Sequence, residues 1–490
     1  MSVGILAHGA YLPRLRLSRK AVAQANAWYA PQHLGRAKGT RSMAHWDEDS
    51  LTMAVAAARD CVSAEQDRSV IRSVILASGT LPFAERLNAG VLCAALNLDE
   101  SVAACDLTGA QTAALSGLSQ GLALARSGAG PVLLAAADQR KTRAASSAEL
   151  DYGDGAAALL LGSGEVLAEV LSEAVTTTDF IDHFRLAGED IDYQWEERWI
   201  RDEGITKLVP PVVARALAGA GVQAEQVDHF IFPSCFAKID AQLAKQCRIR
   251  PEAVVDNLDE SVGDTGVAHG LLLLSRVLET AQPGQVILLA QFGSGAQAFV
   301  FRVTDAVTRI RPRRGVSGWL AGGHEEASYT RFLAYKGQLD LERGMRGEQD
   351  RKTALSTAYR HRRAILGLVG GRCRITGEVH FPPSRISYTP GAPQQDTQEP
   401  YPMAEHLGTV LSWSAEALSF HMSPPHHYGQ VDFDGGGRIL MEFTDVAPGD
   451  IATGKRVEMV FRIKDRDELR GFKRYFWKAT PLRVAAGTSE

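Results

Sequence analysis

An acidic residue and a histidine stand close together in the stretch VGDTGVAHG, directly before an apolar run that is typical of a buried helix. The two residues are Asp264 and His269. A carboxylate and an imidazole at the start of one helix are residue types that move protons in general acid–base catalysis. The same pair could instead support the turn as a buried hydrogen bond. The pattern leaves both roles open.

The segment Ile181–Gly204 concentrates aromatic and charged side chains, among them Trp195 and Trp199. Such a mixture suits a lid over a substrate entrance. It also suits a surface or dimer-contact helix, in which Glu197 and Arg201 form an ion pair at helical spacing. We weigh the two interpretations equally.

Two other charged clusters are interpreted as solvated surface. One is a histidine group across a proline-containing turn, and the other is an arginine group that could contact a phosphate but is more typical of a linker. They comprise His421, His426 and His427, and Arg309, Arg311, Arg313 and Arg314.

Composition excludes several classes of protein. The 490 residues include 53 Lys or Arg and 57 Asp or Glu, and this net charge of −4 lacks the basic excess of a general nucleic-acid binder. The apolar runs are far shorter than the roughly 20 residues of a membrane helix, and no signal peptide is expected. No Gly-rich loop supports ATP or NAD binding. Six cysteines without metal-like spacing predict a reduced, cytoplasmic protein.

Two composition regimes divide the chain. Residues 1–303 alternate short apolar strands with helices, which predicts an α/β domain with buried strands. Residues 366–490 alternate apolar and polar side chains at period two, with turn-forming residues between the runs, which predicts a small antiparallel barrel. Residues 304–365 are expected to be a linker with a helical segment.

The α/β part is internally repeated. Leu122–Asp138 and Leu274–Phe292 both run from a helix end through a Gly-containing turn into an apolar strand. Two copies of one unit predict a body of two similar halves, at about 1–165 and 205–303, with an insertion at about 166–204. The crevice where the strand ends of both halves converge is the expected site.

The motifs of the α/β part resemble the thiolase superfamily, most closely hydroxymethylglutaryl-CoA synthase and ketoacyl-ACP synthase III. The resemblance implies an αβαβα sandwich of two repeated halves. The C-terminal part is similar to the zinc-ribbon and OB-fold domain that accompanies such enzymes, through GGRCRITGEVHFPPSR and YGQVDFDGGGRILMEFTDV. The α/β motifs are GILAHGAYLPRLRL, DEDSLTMAVAAARD, CDLTGAQTAAL, YGDGAAALLLG, VGDTGVAHGLLLL and LLAQFGSGAQAFVF.

The resemblance places this chain's residues at the family's reactive positions, and they depart from the family pattern. Gln111 stands where a cysteine nucleophile opens a helix, and Cys105 just before it is predicted to pack in the core. Pro233 stands near the catalytic histidine position, with Cys235 two residues on. Asp264 replaces an asparagine. An amide cannot form a thioester intermediate, so covalent chemistry at residue 111 is not expected.

In the segment that resembles the zinc ribbon, only one of the four zinc-ligand positions holds a thiol. These positions are Cys373, Thr376, Ser387 and Pro390. A single thiolate cannot hold a structural zinc ion, so we expect no zinc.

The main functional hypothesis is an aldol or retro-aldol enzyme that acts on a CoA thioester without a cysteine nucleophile, as in the cysteine-less thiolase-fold aldolases that the chain resembles. Asp264, His269 or Tyr152 would be the acid or base, and Gln111 with backbone N–H groups would hold the thioester oxygen. One alternative is a hydroxymethylglutaryl-CoA synthase-like acyltransferase that uses Cys235. Others are a decarboxylase and a non-catalytic acyl-CoA scaffold.

The resemblance also implies binding partners. We expect an acyl-CoA substrate and no tightly bound cofactor. We expect a homodimer formed through the strand that precedes Gln111, with a thiolase or other acyl-CoA pathway protein as a possible partner. No nucleic acid or membrane is expected.

Overall fold

The computed structural model describes residues 2–62, 67–344 and 354–483, and the chain divides into two compact units. The expected linker at 304–365 is split between the units at Lys336, and its residues 345–353 lie outside the described part. The predicted domain limits stay a prediction. The first unit comprises Met1–Ala44, Asp49–Gly90 and Glu100–Lys336, and the second comprises His45–Glu48, Val91–Asp99 and Gly337–Glu490.

The strands of the first unit are, in chain order, β1 (Val3–Tyr11), β2 (Leu15–Ser18), β3 (Thr40–Met43), β4 (Ser73–Ala77), β5 (Ala103–Leu107), β6 (Val132–Asp138), β7 (Gly155–Ser163), β8 (Ala168–Thr177), β9 (His183–Phe184), β10 (Tyr193–Gln194), β11 (His229–Ile231), β12 (Val286–Phe292), β13 (Gly295–Val303) and β14 (His324–Glu326). Its helices are α1 (Arg19–Ala25), α2 (Ser50–Cys61), α3 (Asn88–Ala95, which ends in the second unit), α4 (Ala113–Arg126), α5 (Ala148–Asp151), α6 (Glu197–Trp199), α7 (Thr206–Ala220), α8 (Ile239–Gln246), α9 (His269–Leu278), α10 (Gly315–Ala321) and α11 (Tyr329–Tyr335).

A nine-stranded sheet in the order β11-β12-β13-β8-β1-β7-β6-β4-β5 contains the predicted repeat. In the first half, β4 pairs in parallel with β5 and β6, β6 is antiparallel to β7, and β7 is antiparallel to β1. In the second half, β11, β12, β13 and β8 repeat this pattern, and a bridge from Phe230 to Val254 takes the place of the β4–β5 pairing. The predicted fold of two repeated halves is confirmed.

Burial explains why these segments form central strands. Every residue of β6 and of β12 is buried, which is the pattern of strands covered on both faces. Helix α9 is mostly apolar and is buried at every position except Arg276, and it packs against β1 and β7 of one half and β11 and β12 of the other. Helices α2 and α7 cover the two halves separately.

Strand β5 lies at the edge of the sheet, and its side chains are only partly covered. Cys105 on this strand is therefore exposed in the single chain, and the prediction that it packs in the core is wrong for the chain by itself. An edge strand presents unpaired backbone groups that a second copy could use. The homodimer through this strand stays a prediction.

The second unit is mainly antiparallel, as predicted. Its five-stranded sheet has the order β22 (Arg438–Glu442), β21 (His426–Phe433), β20 (Gly408–Glu416), β23 (Arg456–Asp467) and β24 (Phe472–Pro481). Gly435, Gly436 and Gly437 supply the positive φ angles of the turn between β21 and β22. Its helices are α12 (Leu355–Arg360) and α13 (Arg362–Gly367). Its strands are β15 (Val369–Cys373), β16 (Val379–His380), β17 (Ile386–Ser387), β18 (Gln394–Gln395), β19 (Gln398–Pro402), β20 (Gly408–Glu416), β21 (His426–Phe433), β22 (Arg438–Glu442), β23 (Arg456–Asp467) and β24 (Phe472–Pro481).

The ribbon-like strands place Cys373 among hydroxyl and backbone groups. Its sulfur lies 3.1 Å from Thr397 Oγ1 and accepts a hydrogen bond of 3.4 Å from the Thr376 backbone. Among the described residues, no group of three or more His, Cys, Asp or Glu side chains is placed to hold a metal ion. These surroundings do not fit the zinc site of the resembled ribbon, and elemental analysis would test the expectation of no zinc.

A partly buried carboxylate in the second unit, Glu442, links stability to pH. Glu442 lies 3.0 Å from Lys478 Nζ and also bonds Lys464. Burial opposes ionisation of Glu442, but the two lysines outweigh it and lower its pKa from 4.5 to about 2.

Acid should therefore weaken the second unit. A depressed carboxylate pKa stabilises the fold above the unfolded value, and this stability is lost as the pH falls through the folded value. Between pH 5 and 2 we expect Glu442 to contribute a loss of roughly 3 kcal/mol. Glu442→Gln should remove this part of the pH dependence in unfolding measured at several pH values. An unchanged acid slope in the variant would contradict the account.

Candidate active site

The strand ends of the two halves converge on one pocket, as the repeat predicts. Gln111 follows β5, Arg140 follows β6, and Cys235 follows β11. The pocket holds about 520 Å³ of empty space, part of it open to solvent. It is lined by Gln111, Arg140, Tyr152, Asp182, His183, Gln194, Ile200, Ile205, Phe232, Pro233, Ser234, Cys235, Phe236, Asp264 and Phe292.

Gln111 is fixed just before helix α4, which begins after its N-cap residue Thr112. The backbone oxygen of Gln111 accepts a hydrogen bond of 2.9 Å from Gln291 Nε2. Gly293 packs so closely that a Cβ added there would lie 2.8 Å from the Gln111 Cβ. The structure therefore places the Gln111 amide next to the N-terminus of helix α4, where the partial positive charge of the helix stabilises a developing anion.

Asp264, Arg140 and Tyr152 form one buried group in the pocket wall. Arg140 lies 3.1 Å from the Asp264 carboxylate, donates 2.7 Å to its backbone oxygen, and stacks 3.6 Å above the Tyr152 ring. Burial opposes ionisation of Asp264, but the charge of Arg140, with help from His269 and the Gly266 N–H, lowers its pKa. A carboxylate held in this way stays ionised and is a weak base.

His269 lies beside this group and does not line the pocket. It is fully buried, with Nδ1 3.1 Å from Thr265 Oγ1 and Nε2 3.0 Å from the Asn257 backbone oxygen. Burial lowers its pKa, which keeps the ring neutral. One ring nitrogen therefore contacts the turn before α9, as the structural alternative expected, and the other contacts the backbone at Asn257. A catalytic role remains a prediction.

Cys235 lines the pocket, but its surroundings disfavour a nucleophile. Burial, together with the charges of Asp264 and Asp151, raises the pKa of the thiol well above its ordinary value. Reactive cysteines need the thiolate form, which a positive environment stabilises. The thiol form prevails here at neutral pH.

The structure brings a pair into the pocket that the sequence reasoning missed. His183 on β9 places Nδ1 2.9 Å from Asp182 Oδ2, and both residues line the pocket. They come from the segment Ile181–Gly204, which supplies part of the pocket wall and also carries the expected pair of Glu197 and Arg201, at 4.0 Å. The only indication of this pair in the sequence was that Asp182 and His183 are adjacent within the aromatic segment.

Comparisons with known proteins match the same two regions. The family model of 3-oxoacyl-(acyl-carrier-protein) synthase III, C terminal, matches residues 217–303, and that of the ChsH2 C-terminal OB-fold domain matches residues 402–462. The hydroxymethylglutaryl-CoA synthase of Aeropyrum pernix is 29% identical over 346 residues, covering 69% of this chain and 95% of the relative. That of Methanosarcina mazei is 28% identical over 355 residues, covering 70% and 100%.

The first unit is a thiolase-superfamily domain. It is of the hydroxymethylglutaryl-CoA synthase and ketoacyl synthase III type, and an OB-fold domain follows it in the chain. The recognition made from the sequence motifs is confirmed.

Solved structures support the fold of the thiolase-superfamily domain. A hydroxymethylglutaryl-CoA synthase complexed with CoA has a TM-score of 0.58 at 18% identity, covering 72% of this chain and 95% of that one. The 3-oxoacyl-(acyl carrier protein) synthase III of Pseudomonas aeruginosa has a TM-score of 0.55 at 24% identity, covering 62% and 98%.

The relatives of the thiolase-superfamily domain are condensing enzymes of acyl-CoA metabolism by name, which supports an enzyme that works on carbon–carbon bonds. They favour the synthase alternative over the aldolase hypothesis. No helix within the described residues is long and apolar enough to cross a membrane.

Proposed function

We propose that the thiolase-superfamily domain makes or breaks a carbon–carbon bond next to a CoA thioester without forming an acyl-enzyme. The observation that carries the proposal is the amide of Gln111 at the helix mouth where the family has its cysteine nucleophile. An aldol or retro-aldol step needs an acid–base group and a polar site for the enolate oxygen, and it needs no covalent intermediate. The pocket offers both.

In this proposal Gln111 and the N-terminus of α4 hold the thioester oxygen while negative charge develops on it. Preorganised donors aimed at such an oxygen contribute strongly because they need no rearrangement during the reaction. Arg140 remains neutralised by Asp264, and Tyr152 lies beneath the guanidinium. The apolar side chains Phe232 and Phe292 line the pocket and exclude water from the reacting carbons.

A synthase-type acyl transfer through Cys235 is the second candidate. The names of the curated relatives favour it, and the thiol lies in the pocket. Two properties oppose it: the raised pKa of Cys235, and a proline, Pro233, near the family's histidine position. Arg140 lowers the pKa of this thiol, but burial and the two aspartates outweigh it, so a further cation beside the thiol would be needed to form the thiolate.

Cys235→Ser should leave turnover of β-hydroxyacyl-CoA esters within about twofold of the wild type, because no covalent step uses the thiol. A positioned catalytic group would contribute far more, about 10²–10⁴-fold. The measurement is steady-state turnover before and after thiol alkylation, with Cys105→Ser as the matched control for the exposed thiol. Loss of turnover by about 10²-fold or more in Cys235→Ser itself, with Cys105→Ser unaffected, would reject the first proposal and support acyl transfer.

A further inference from the structure

We infer that His183 is the acid–base catalyst of this pocket and that Asp182 positions it. The inference rests on the proposed function, since it names the group that moves the proton in that reaction. It assigns the step to the insertion between the two halves, and neither to Asp264 nor to His269.

The insertion holds the imidazole in a defined place. His183 pairs with Gln194 across the short β9–β10 hairpin, and the Asp182 backbone oxygen accepts 2.9 Å from the Trp195 N–H. The Asp182 carboxylate then bonds Nδ1 of the ring at 2.9 Å. The side chains are mostly covered, with 26% of His183 and 16% of Asp182 exposed.

This contact sets the tautomer. An ionised carboxylate only accepts hydrogen bonds, so the neutral ring carries its proton on Nδ1 and its lone pair on Nε2. His183 lines the same pocket as Gln111 and Asp264. An imidazole oriented by a carboxylate through one nitrogen, with the other nitrogen free to exchange a proton, is the arrangement that general-base histidines use.

The charges around His183 change the pKa of its imidazole. Burial lowers the pKa of His183, but the hydrogen bond and charge of Asp182, with the charge of Asp192, raise it beyond that effect, against the opposing charge of Arg140. Asp192 is itself bonded to Arg185 at 2.7 Å.

The other titratable groups that line the pocket are less suited to exchange a proton near neutral pH. Asp264 is held ionised by Arg140, and burial raises the pKa of Tyr152 and of Cys235.

The step balances without a further reactant. In the cleavage direction, Nε2 takes the proton of the β-hydroxyl group, the O–H electron pair becomes the new C=O bond, and the bond between the α- and β-carbons breaks. Its electron pair passes to the α-carbon and the thioester oxygen as an enolate. The imidazolium then returns the proton to the α-carbon, giving a carbonyl compound and a shortened CoA ester. The two products together contain all the atoms of the substrate.

His183→Gln should lower kcat by about 10²–10⁴-fold, because the amide keeps polarity and loses the exchangeable proton. The probe is the β-hydroxyacyl-CoA ester that the wild type turns over, and His324→Gln, an exposed histidine, is the matched control. Asp182→Asn should shift the acidic limb of the kcat/KM profile to lower pH, since it removes the charge that raises the pKa of His183. A merely structural aspartate would not move that limb.

Three results would overturn the inference, and each has a different meaning. Wild-type turnover that persists within threefold in His183→Gln rejects His183 and leaves the proposed function in place. No wild-type turnover of any ester rejects the proposed function and this inference together. If His183→Gln loses activity and its circular dichroism spectrum is that of an unfolded protein, His183→Lys and Asp182→Asn replace it as the test. If Asp182→Asn then keeps the wild-type pH profile, the inference is rejected.

Discussion

Asp264→Asn is expected to lower kcat by about 10²–10³-fold, the size of effect seen when one preorganised electrostatic group is removed from an active site. The substitution nearly preserves shape, and the remaining oxygen can still accept the hydrogen bond of 2.8 Å from the Gly266 N–H. The ion pair with Arg140 is lost, so the buried guanidinium beside Tyr152 loses the largest of its compensating charges. Arg140 is then no longer held by this carboxylate, so the pocket wall that faces the substrate loses its fixed geometry.

Kinetics can separate this role from that of a base. We expect the acidic limb of the kcat/KM profile of Asp264→Asn to stay where it is in the wild type, because the proton is moved elsewhere. Asp305→Asn, an exposed aspartate of the same unit, is the matched control. Unchanged kcat in Asp264→Asn would remove this residue from the site.

Asp154→Ala is expected to destabilise the first unit by about 3–5 kcal/mol, the usual result of removing one partner from a buried ion pair. The Asp154 carboxylate lies 2.7 Å from Lys336 Nζ, and both side chains are almost completely buried. Asp154 also accepts 2.8 Å from the Ala44 N–H. Burial already lowers the pKa of Lys336 to about 8, and without the carboxylate the ammonium would have no nearby compensation.

Urea unfolding of the variant gives this loss, with an exposed pair as control. Lys38 and Glu260 lie 2.6 Å apart, but their side chains are 81% and 63% exposed. Glu260→Ala should therefore cost no more than about 1 kcal/mol. A loss below that value in Asp154→Ala would show that the buried pair contributes little to the fold.

Sequence reasoning predicted the fold because the two regimes have distinct periodicities. Strands β6 and β12 are continuous apolar runs that follow Gly-containing turns, so the repeat is visible in the letters. The turn of Gly435, Gly436 and Gly437 separates two alternating strands in the same way. The position of a strand at the edge of a sheet cannot be predicted in this way, because the residues of β5 do not show that one side of the strand has no neighbour. For that reason the prediction that Cys105 packs in the core was wrong.

The site was only partly predictable. Gln111, Tyr152, Cys235 and Asp264 were expected near the crevice, and all four line it. The orientation of His269 could not be read from the sequence, because helix α9 is buried at every position except Arg276 and its apolar residues do not mark one side as the pocket side. The pairing of Arg140 with Asp264 joins residues 124 positions apart in the chain.

His183 escaped detection for a further reason. It lies in the insertion, which has no counterpart in the other half, so the repeat that located the remaining pocket residues offered no guide. Its partner Asp182 is adjacent in sequence, and such neighbours usually point apart in an extended strand. The start of the short β9–β10 hairpin brings the two side chains together.

The most direct test of a cysteine-independent carbon–carbon enzyme is to incubate the protein with a panel of β-hydroxyacyl- and β-ketoacyl-CoA esters. Mass spectrometry would follow both the small molecules and the intact protein. We predict that a β-hydroxyacyl-CoA ester yields a ketone or aldehyde and a shortened CoA ester, while the protein mass stays unchanged. An acyl group retained on the protein and mapped to Cys235 would contradict the account.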